Sequence, residues 1–316
     1  MMNAAARRIR PAAALALLTL GLVAARADSL QVFFNQDYDA LCADNEAHAR
    51  ASPDNPDKKL LLFIAAATST LDVCVYDIED PGIAQALVAA HARGVTVRVY
   101  TDSDNLADPD LGGLRPALLA MQKAGVPVRS DERPAFMHHK FLVADHRAVW
   151  FGSMNLTSNA LYRDNNNSLW ADSPALAEDF EDVFQRLFGE QRPGDPVLDL
   201  PHPAVTIGDA TLDLYISPNG GAQQAILDTV RKARRRVRFM AFAFTDPALA
   251  ETMIGLGTNV ALEGVFDACQ LDMYSQMGYL RRHGCHAWRD GNQALLHHKV
   301  ILVDDDTVIT GSFNFT

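Results

Sequence analysis

MHHKFLVADHRAVWFGSMN at residues 137–155 and LHHKVILVDDDTVITGSFN at residues 296–314 are one pattern written twice, 159 positions apart. Both fit His-x-Lys, four residues, Asp, six residues, Gly-Ser-x-Asn, with no gap or shift. The first copy supplies His138, Lys140, Asp145, Gly152, Ser153 and Asn155; the second supplies His297, Lys299, Asp304, Gly311, Ser312 and Asn314. HKFLVAD and HKVILVD have the apolar content of buried strands, each followed by a turn and another strand. Residues two apart on a strand share a face, so His138 and Lys140 point together, as do His297 and Lys299. His139 and His298 then point the opposite way. Neighbouring strand histidines cannot both ligate one ion, so no metal is expected here.

The repeat extends beyond the motif. Residues 58–102 and 224–267 each read as an amphipathic helix, an apolar strand, Asp-Pro opening a second helix, a Gly, and a second strand ending in Asp. Asp80 and Asp246 suit the N-caps, with Pro81 and Pro247 in the first turns. Strands alternating with helices predict an α/β fold of two tandem domains related by pseudo-two-fold symmetry. Each is expected to be a mixed, mostly parallel sheet with helices on both faces. The domains are expected at 28–188 and 209–316, joined by a Pro/Gly-rich linker at 189–208. The polar stretch 43–59 reads as a surface loop. The basic run RKARRRVR (231–238) falls where a helix from Gln223 to about Arg234 gives way to a strand from Val237 to Phe244. Cations are favourable at a helix C-terminus, which explains the run without a polyanion.

One imidazole, one ammonium and one amide donor make half of a phosphoryl-transfer site. In-line displacement at phosphorus needs a nucleophile on one side and a proton donor for the leaving oxygen on the other. Two half-sites facing each other supply both, and two lysines with two amides neutralise the non-bridging oxygens without a metal or other cofactor. Gly152-Ser153 and Gly311-Ser312 allow close backbone approach, while Asp145 and Asp304 read as structural residues closing the strand at the turn.

The motif pair resembles the signature of the phospholipase D superfamily, often called the HKD motif. That resemblance implies a bilobal α/β fold, a covalent phosphohistidine intermediate and metal-independent phosphodiester cleavage. By motif position, one of His138 and His297 is the nucleophile and the other the general acid, then the base for water, with His138 favoured as nucleophile. Lys140, Lys299, Asn155 and Asn314 bind phosphate, with Ser153 and Ser312 beside them. Eleven residues past the motif Asn, the family often places a Glu or Asp that orients a catalytic histidine; here that position is Asn166, whose amide carbonyl can still accept an imidazole N–H. The equivalent in the second half lies past Thr316, and the second half also lacks a counterpart of 156–188, so the chain reads as C-terminally truncated.

Three arginines precede an apolar run from Ala12 to Ala25, and Ala25-Arg26-Ala27 suits signal peptidase, so a leader cleaved after Ala27 and an exported protein are expected. Cleavage removes four arginines and no acid, taking the formal charge from −11 to −11 − 4 = −15. A chain so acidic is repelled on average by nucleic acid. Phospholipid is the expected substrate, an exported nuclease the alternative, and an inactive fragment or binding module the third possibility. Cys42, Cys74, Cys269 and Cys285 allow three disulfide pairings, and Cys74 inside VCVYDI also reads as a buried thiol.

Overall fold

The structure, a computed structural model, describes residues 27–35, 45–108, 110, 112–131, 133–189, 199–218 and 220–316. The leader-like stretch, Cys42 and most of the Pro/Gly-rich segment after Gly189 lie outside the described residues. In the first half the order is β1 (Ser29–Phe34), α1 (Asn45–Ala51), α2 (Pro56–Ala66), β2 (Thr70–Val75), α3 (Pro81–Ala92), β3 (Thr96–Thr101), α4 (Pro116–Lys123), β4 (Val128–Ser130), β5 (Lys140–Ala144), β6 (Ala148–Gly152), α5 (Ser158–Tyr162), β7 (Asn167–Asp172) and α6 (Pro174–Phe188). A hairpin of β8 (Val205–Ile207) and β9 (Ala210–Leu212) follows. The second half runs α7 (Ala222–Val230), β10 (Arg236–Ala241), α8 (Pro247–Gly255), β11 (Ala261–Phe266), α9 (Met277–Arg282), β12 (His286–Arg289), β13 (Lys299–Val303) and β14 (Thr307–Thr310).

Two sheets carry the repeat. The first has the order β1-β7-β6-β5-β2-β3-β4 and the second β12-β11-β10-β13-β14. The motif strand runs antiparallel to the first strand of its repeat in the same register: Lys140 lies opposite Val75, and Lys299 opposite Ala241. Asp80 caps α3 through the N–H groups of Gly82 and Ile83, and Asp246 caps α8 through those of Ala248 and Leu249.

Both sheets are mixed, but the expectation of mostly parallel pairing needs correction. In the first sheet only β2-β3-β4 is parallel, and every other pairing is antiparallel. The second divides evenly, with β10-β11-β12 parallel and β10-β13-β14 antiparallel. The motif itself is a hairpin, which inserts antiparallel strands into an otherwise βαβ-like unit. Helices cover both faces of the first sheet: α2, α3 and α4 share a core with Leu71, Val73 and Leu142, while α6 buries Leu176, Phe180, Val183 and Phe184 against Phe141, Val143 and Val149. Around the second sheet, α7, α8 and α9 contribute to a single core cluster with Val237, Phe239 and Ile301, so helices on both faces are not seen among the described residues.

Three further expectations are revised by packing. The 43–59 stretch holds α1 and the first turn of α2 rather than a loop, because Arg50 lies over the Tyr162 ring and Asn55 donates to the Leu161 carbonyl. Residues 205–207, expected to be linker, form a strand whose Val205 and Ile207 are buried in the α6 core. Helix α7 ends at Val230 and strand β10 spans 236–241, since Asp304 captures the N–H groups of Arg234, Arg235 and Arg236. The Arg235 and Arg236 side chains pair with Asp305, which answers the basic run locally.

Candidate active site

Both half-sites are built the same way. The ammonium of Lys140 donates to the His138 carbonyl at 3.1 Å and lies 5.1 Å from the centre of the Tyr76 ring, which follows β2. The ammonium of Lys299 donates to the His297 carbonyl at 2.7 Å and lies 4.6 Å from the centre of the Phe242 ring, which follows β10. His138 packs on Tyr76 and His297 on Phe242. His138, Lys140 and Asn155 of one half line the same cleft as His297, Lys299, Ser312 and Asn314 of the other.

The imidazoles are held by opposite halves. His138 Nδ1 lies 3.1 Å from the Ser312 carbonyl oxygen, and His297 Nδ1 lies 2.9 Å from Asn166 Oδ1. A carbonyl only accepts, so both Nδ1 atoms carry the hydrogen and both Nε2 atoms keep the lone pair. The Asn166 amide is oriented by its own partners: Ser153 Oγ donates to Oδ1 at 2.8 Å, and Nδ2 donates to the Ala160 carbonyl at 3.1 Å. Asn166 is fully buried, so this anchor cannot exchange with solvent.

The strap 163–167 crosses between the halves by more than Asn166. Asn165 N donates to the Leu295 carbonyl, His297 N donates to the Asn165 carbonyl, and Asn292 Nδ2 donates to the Arg163 carbonyl. Asn167 accepts from His298 Nδ1 at 3.0 Å and donates to Thr310 Oγ1 at 2.8 Å. His298 thus secures the second half to the strap, while His139 packs on Phe141 within the first. Sequence reasoning found Asn166 only by its family position, and the rest of the strap carried no motif. It also left unused the Asp that ends each second repeat strand. Asp102 accepts from Met137 N at 2.6 Å and Asp267 from Leu296 N at 2.7 Å, each fixing the backbone just ahead of its motif histidine.

Ser153, expected at the phosphate, does not face the cleft: it is fully buried, with its hydroxyl committed to Asn166 Oδ1 and to the Asn167 N–H. Ser312 does line the cleft, through the carbonyl that holds His138. Asn155 and Asn314 line it too, and their Oδ1 atoms are buried without a hydrogen-bond partner, which leaves each amide free to turn its Nδ2 toward an anionic ligand. Asp145 accepts from the N–H groups of Thr68, Ser69 and Thr70 and from two hydroxyls. Burial alone would raise its carboxyl, but these donors bring it down to about 2. Asp304 does the same for residues 234–236, and both aspartates sit at positive φ, +55° and +52°.

Gly152 and Gly311 share φ near +151°, but only Gly152 is crowded: a Cβ there would lie 2.3 Å from the Asn167 carbonyl oxygen, whereas one at Gly311 meets nothing within 4 Å. Gly152→Ala should therefore displace the strap that orients His297 and lower stability by about 3 kcal/mol, against about 1 kcal/mol of backbone strain for Gly311→Ala. Denaturant unfolding of the two variants checks this, and equal losses would show that the close approach is unimportant.

Two ammonium groups and two imidazoles share one buried volume. Burial, reinforced by Lys140 and Lys299, lowers His138 to about 2, and burial lowers Lys140 to about 7. His297 and Lys299 are pushed well below their ordinary values, by burial first and then by the neighbouring cations. Such a cluster is an electrostatic vacancy for an anion.

The family described as "Cardiolipin synthase, PLD-like domain" matches residues 60–188 and 226–316. The chain is similar to a mitochondrial cardiolipin hydrolase of Xenopus laevis, 37% identical over 142 residues, covering 44% of this chain and 64% of that protein. It is similar to the mitochondrial cardiolipin hydrolase of Homo sapiens, 36% identical over 135 residues, covering 43% of this chain and 52% of that protein. The chain therefore spans less than two-thirds of the length of these relatives. Among solved structures, polyphosphate kinase from Porphyromonas gingivalis aligns with 91% of this chain and 46% of its own, at a TM-score of 0.56 and 14% identity, a likeness of fold alone.

Proposed function

This chain belongs to the phospholipase D superfamily, and we propose that it is an exported, metal-independent phosphodiesterase acting on phospholipid head-group diesters. The observation that carries the reading is the pair of imidazoles, one from each half, held by Nδ1 with Nε2 free in a cleft that also holds both lysines. His138 Nε2 attacks phosphorus, the head-group oxygen departs, and His297 Nε2–H protonates it. His297, now neutral, takes a proton from water as the hydroxyl attacks phosphorus, and the bond to His138 breaks. Lys140, Lys299 and the amides of Asn155 and Asn314 hold the non-bridging oxygens. His297 must be protonated for the first step. The entering diester supplies the negative charge that raises its pKa from the depressed value of the free site.

A lipid substrate is supported by the similarity to the mitochondrial cardiolipin hydrolases of Xenopus laevis and Homo sapiens, and by the acidic chain, which disfavours polyanions away from the two lysines. Export is supported by the arginine-preceded apolar run Ala12–Ala25 and the Ala25-Arg26-Ala27 cleavage signal that follows it. The test is head-group release from phosphatidylcholine and cardiolipin beside cleavage of single-stranded DNA, each with and without EDTA. Lipid turnover should exceed DNA cleavage at physiological salt and be indifferent to EDTA. DNA cleavage far above lipid turnover, lost in His138→Ala, would establish a nuclease instead, and strict dependence on a divalent ion would overturn the metal-free mechanism.

A further inference from the structure

The two lysines differ in where they find negative charge. Tyr76, against Lys140, is followed by Asp77, whereas Phe242, against Lys299, is followed by Ala243. The two positions are equivalent in the fold: the Asp77 carbonyl accepts from Leu156 N and the Ala243 carbonyl from Phe315 N, each just past its motif. Asp77, paired with Arg115, does more than any other carboxylate to favour the charged form of Lys140. The second half has no acid at the matching position.

Lys299 meets two carboxylates instead. Asp267, from its own half, is fully buried and spent on backbone: Oδ1 accepts from Cys269 N at 2.8 Å and Oδ2 from Leu296 N at 2.7 Å. Asp164 comes from the strap of the first half. It is 8% exposed, and its Oδ1 accepts from Leu295 N at 3.3 Å, two residues ahead of His297. So long a bond makes a weak claim on a buried charge. Asp164 acts on Lys299 more strongly than Asp267 does, and both oppose the repulsion from Lys140. Burial raises the Asp164 carboxyl to about 6, against the pull of the Leu295 N–H, Arg163 and Lys299. The fold therefore favours the neutral acid, and the charge this residue carries at neutral pH does not serve stability.

We propose that Asp164 is the counter-charge of Lys299, a positioning residue that does across the two halves what Asp77 does for Lys140 within one. The ammonium donates to the His297 carbonyl, so the carboxylate acts on it through space. The groups around this pair are Lys140 and His138 across the cleft, His297 in the same motif, Asp267 after β11, and Arg163 on the strap. The proposal rests on the phosphodiesterase reading for the use of the ammonium, which is to hold the non-bridging oxygens.

The experiment compares Asp164→Asn with wild type across pH. It follows kcat/KM for bis(p-nitrophenyl) phosphate and, by calorimetry, the affinity for sulfate, whose charge is constant through the range. Asparagine keeps an oxygen for Leu295 N and removes only the charge. Well below pH 6, where Asp164 is itself protonated, the two proteins should coincide. Above it, the alkaline limb of both profiles should lie about one pH unit lower in the variant, a loss of about tenfold once both limbs are falling. Asp164→Glu should keep the wild-type limb. Ala243→Asp, which puts an acid where Asp77 stands in the first half, should restore that limb in the Asp164→Asn background. Profiles lowered by one factor at every pH would give Asp164 a structural role and overturn the proposal. A limb that does not move, a Glu variant displaced like the Asn variant, or no restoration by Ala243→Asp would overturn it too. A limb that moves for sulfate while no diester is cleaved, even by wild type, would support the counter-charge and defeat the phosphodiesterase reading.

Discussion

Alanine at either His138 or His297 is expected to lower turnover of a lipid diester by about 10⁴-fold or more, since neither half-site alone holds both nucleophile and acid. The two variants should nonetheless stop at different places. With bis(p-nitrophenyl) phosphate the leaving group departs as a stable phenolate and needs no proton. His297→Ala should then release about one equivalent of p-nitrophenolate per site in a burst and accumulate a phosphohistidine at His138, because the base for the attacking water is missing. His138→Ala should give no burst. The fixed tautomers are what separate the roles from mere proximity: the Ser312 carbonyl at 3.1 Å from His138 Nδ1 and Asn166 Oδ1 at 2.9 Å from His297 Nδ1 leave Nε2 of each ring as the atom that reacts. Rapid-quench kinetics with mass spectrometry of the phosphorylated peptide decides it. A burst in His138→Ala and none in His297→Ala would reverse the assignment, and turnover within tenfold of wild type in either variant would sink the two-histidine mechanism.

The half-sites were legible because their chemistry needs fixed residue types at fixed spacing on a strand, and strand periodicity then decides which residues share a face. Parity separated His297 from His298, and the structure gives them different partners, Asn166 and Asn167. The antiparallel majority in the first sheet was less legible. Helix–strand alternation reports βαβ units, but pairing direction around the motif hairpin depends on which strand the hairpin joins, and β1 reaches β7 from far away in sequence. Least legible was the strap 163–167. Its asparagines carry no periodicity and no charge, and their meaning lies in backbone and amide contacts to residues about 130 positions away. Ser153 shows the converse hazard. The motif places it at the phosphate, yet its hydroxyl is spent on holding Asn166, so a side chain read as touching substrate instead supports the residue that orients His297.

Methionine at both Lys140 and Lys299 should abolish activity and stabilise the fold. Each ammonium is almost wholly buried, at 4% and 1% exposure, and the acceptors it finds are backbone carbonyls of His138 and His297, not carboxylates. Replacing such buried charges by apolar side chains of similar length is typically worth about 1–4 kcal/mol, and about 2–4 °C in Tm per kcal/mol for a chain of this size. Losing the cations that neutralise the transition state should cost about 10²–10³-fold in kcat per lysine. The pH dependence separates this from ordinary repacking. Lys140, lowered to about 7 from an ordinary 10.5, holds fewer protons in the folded state than in the unfolded state between those values. Stability must therefore rise with pH through that window, with the full cost present below pH 7. His139 and His298, lowered to about 4, add a second window in which stability falls as the pH drops from 6.5. The double variant should lose the first window and keep the second. Inorganic phosphate should raise the Tm of the wild-type protein, by giving the lysines their missing anion, and leave the double variant unmoved. Thermal unfolding between pH 4 and pH 10, with and without phosphate, measures all of this. A double variant that melts below wild type at neutral pH, or that phosphate still stabilises, would show that Lys140 and Lys299 serve packing and that the anion is held elsewhere.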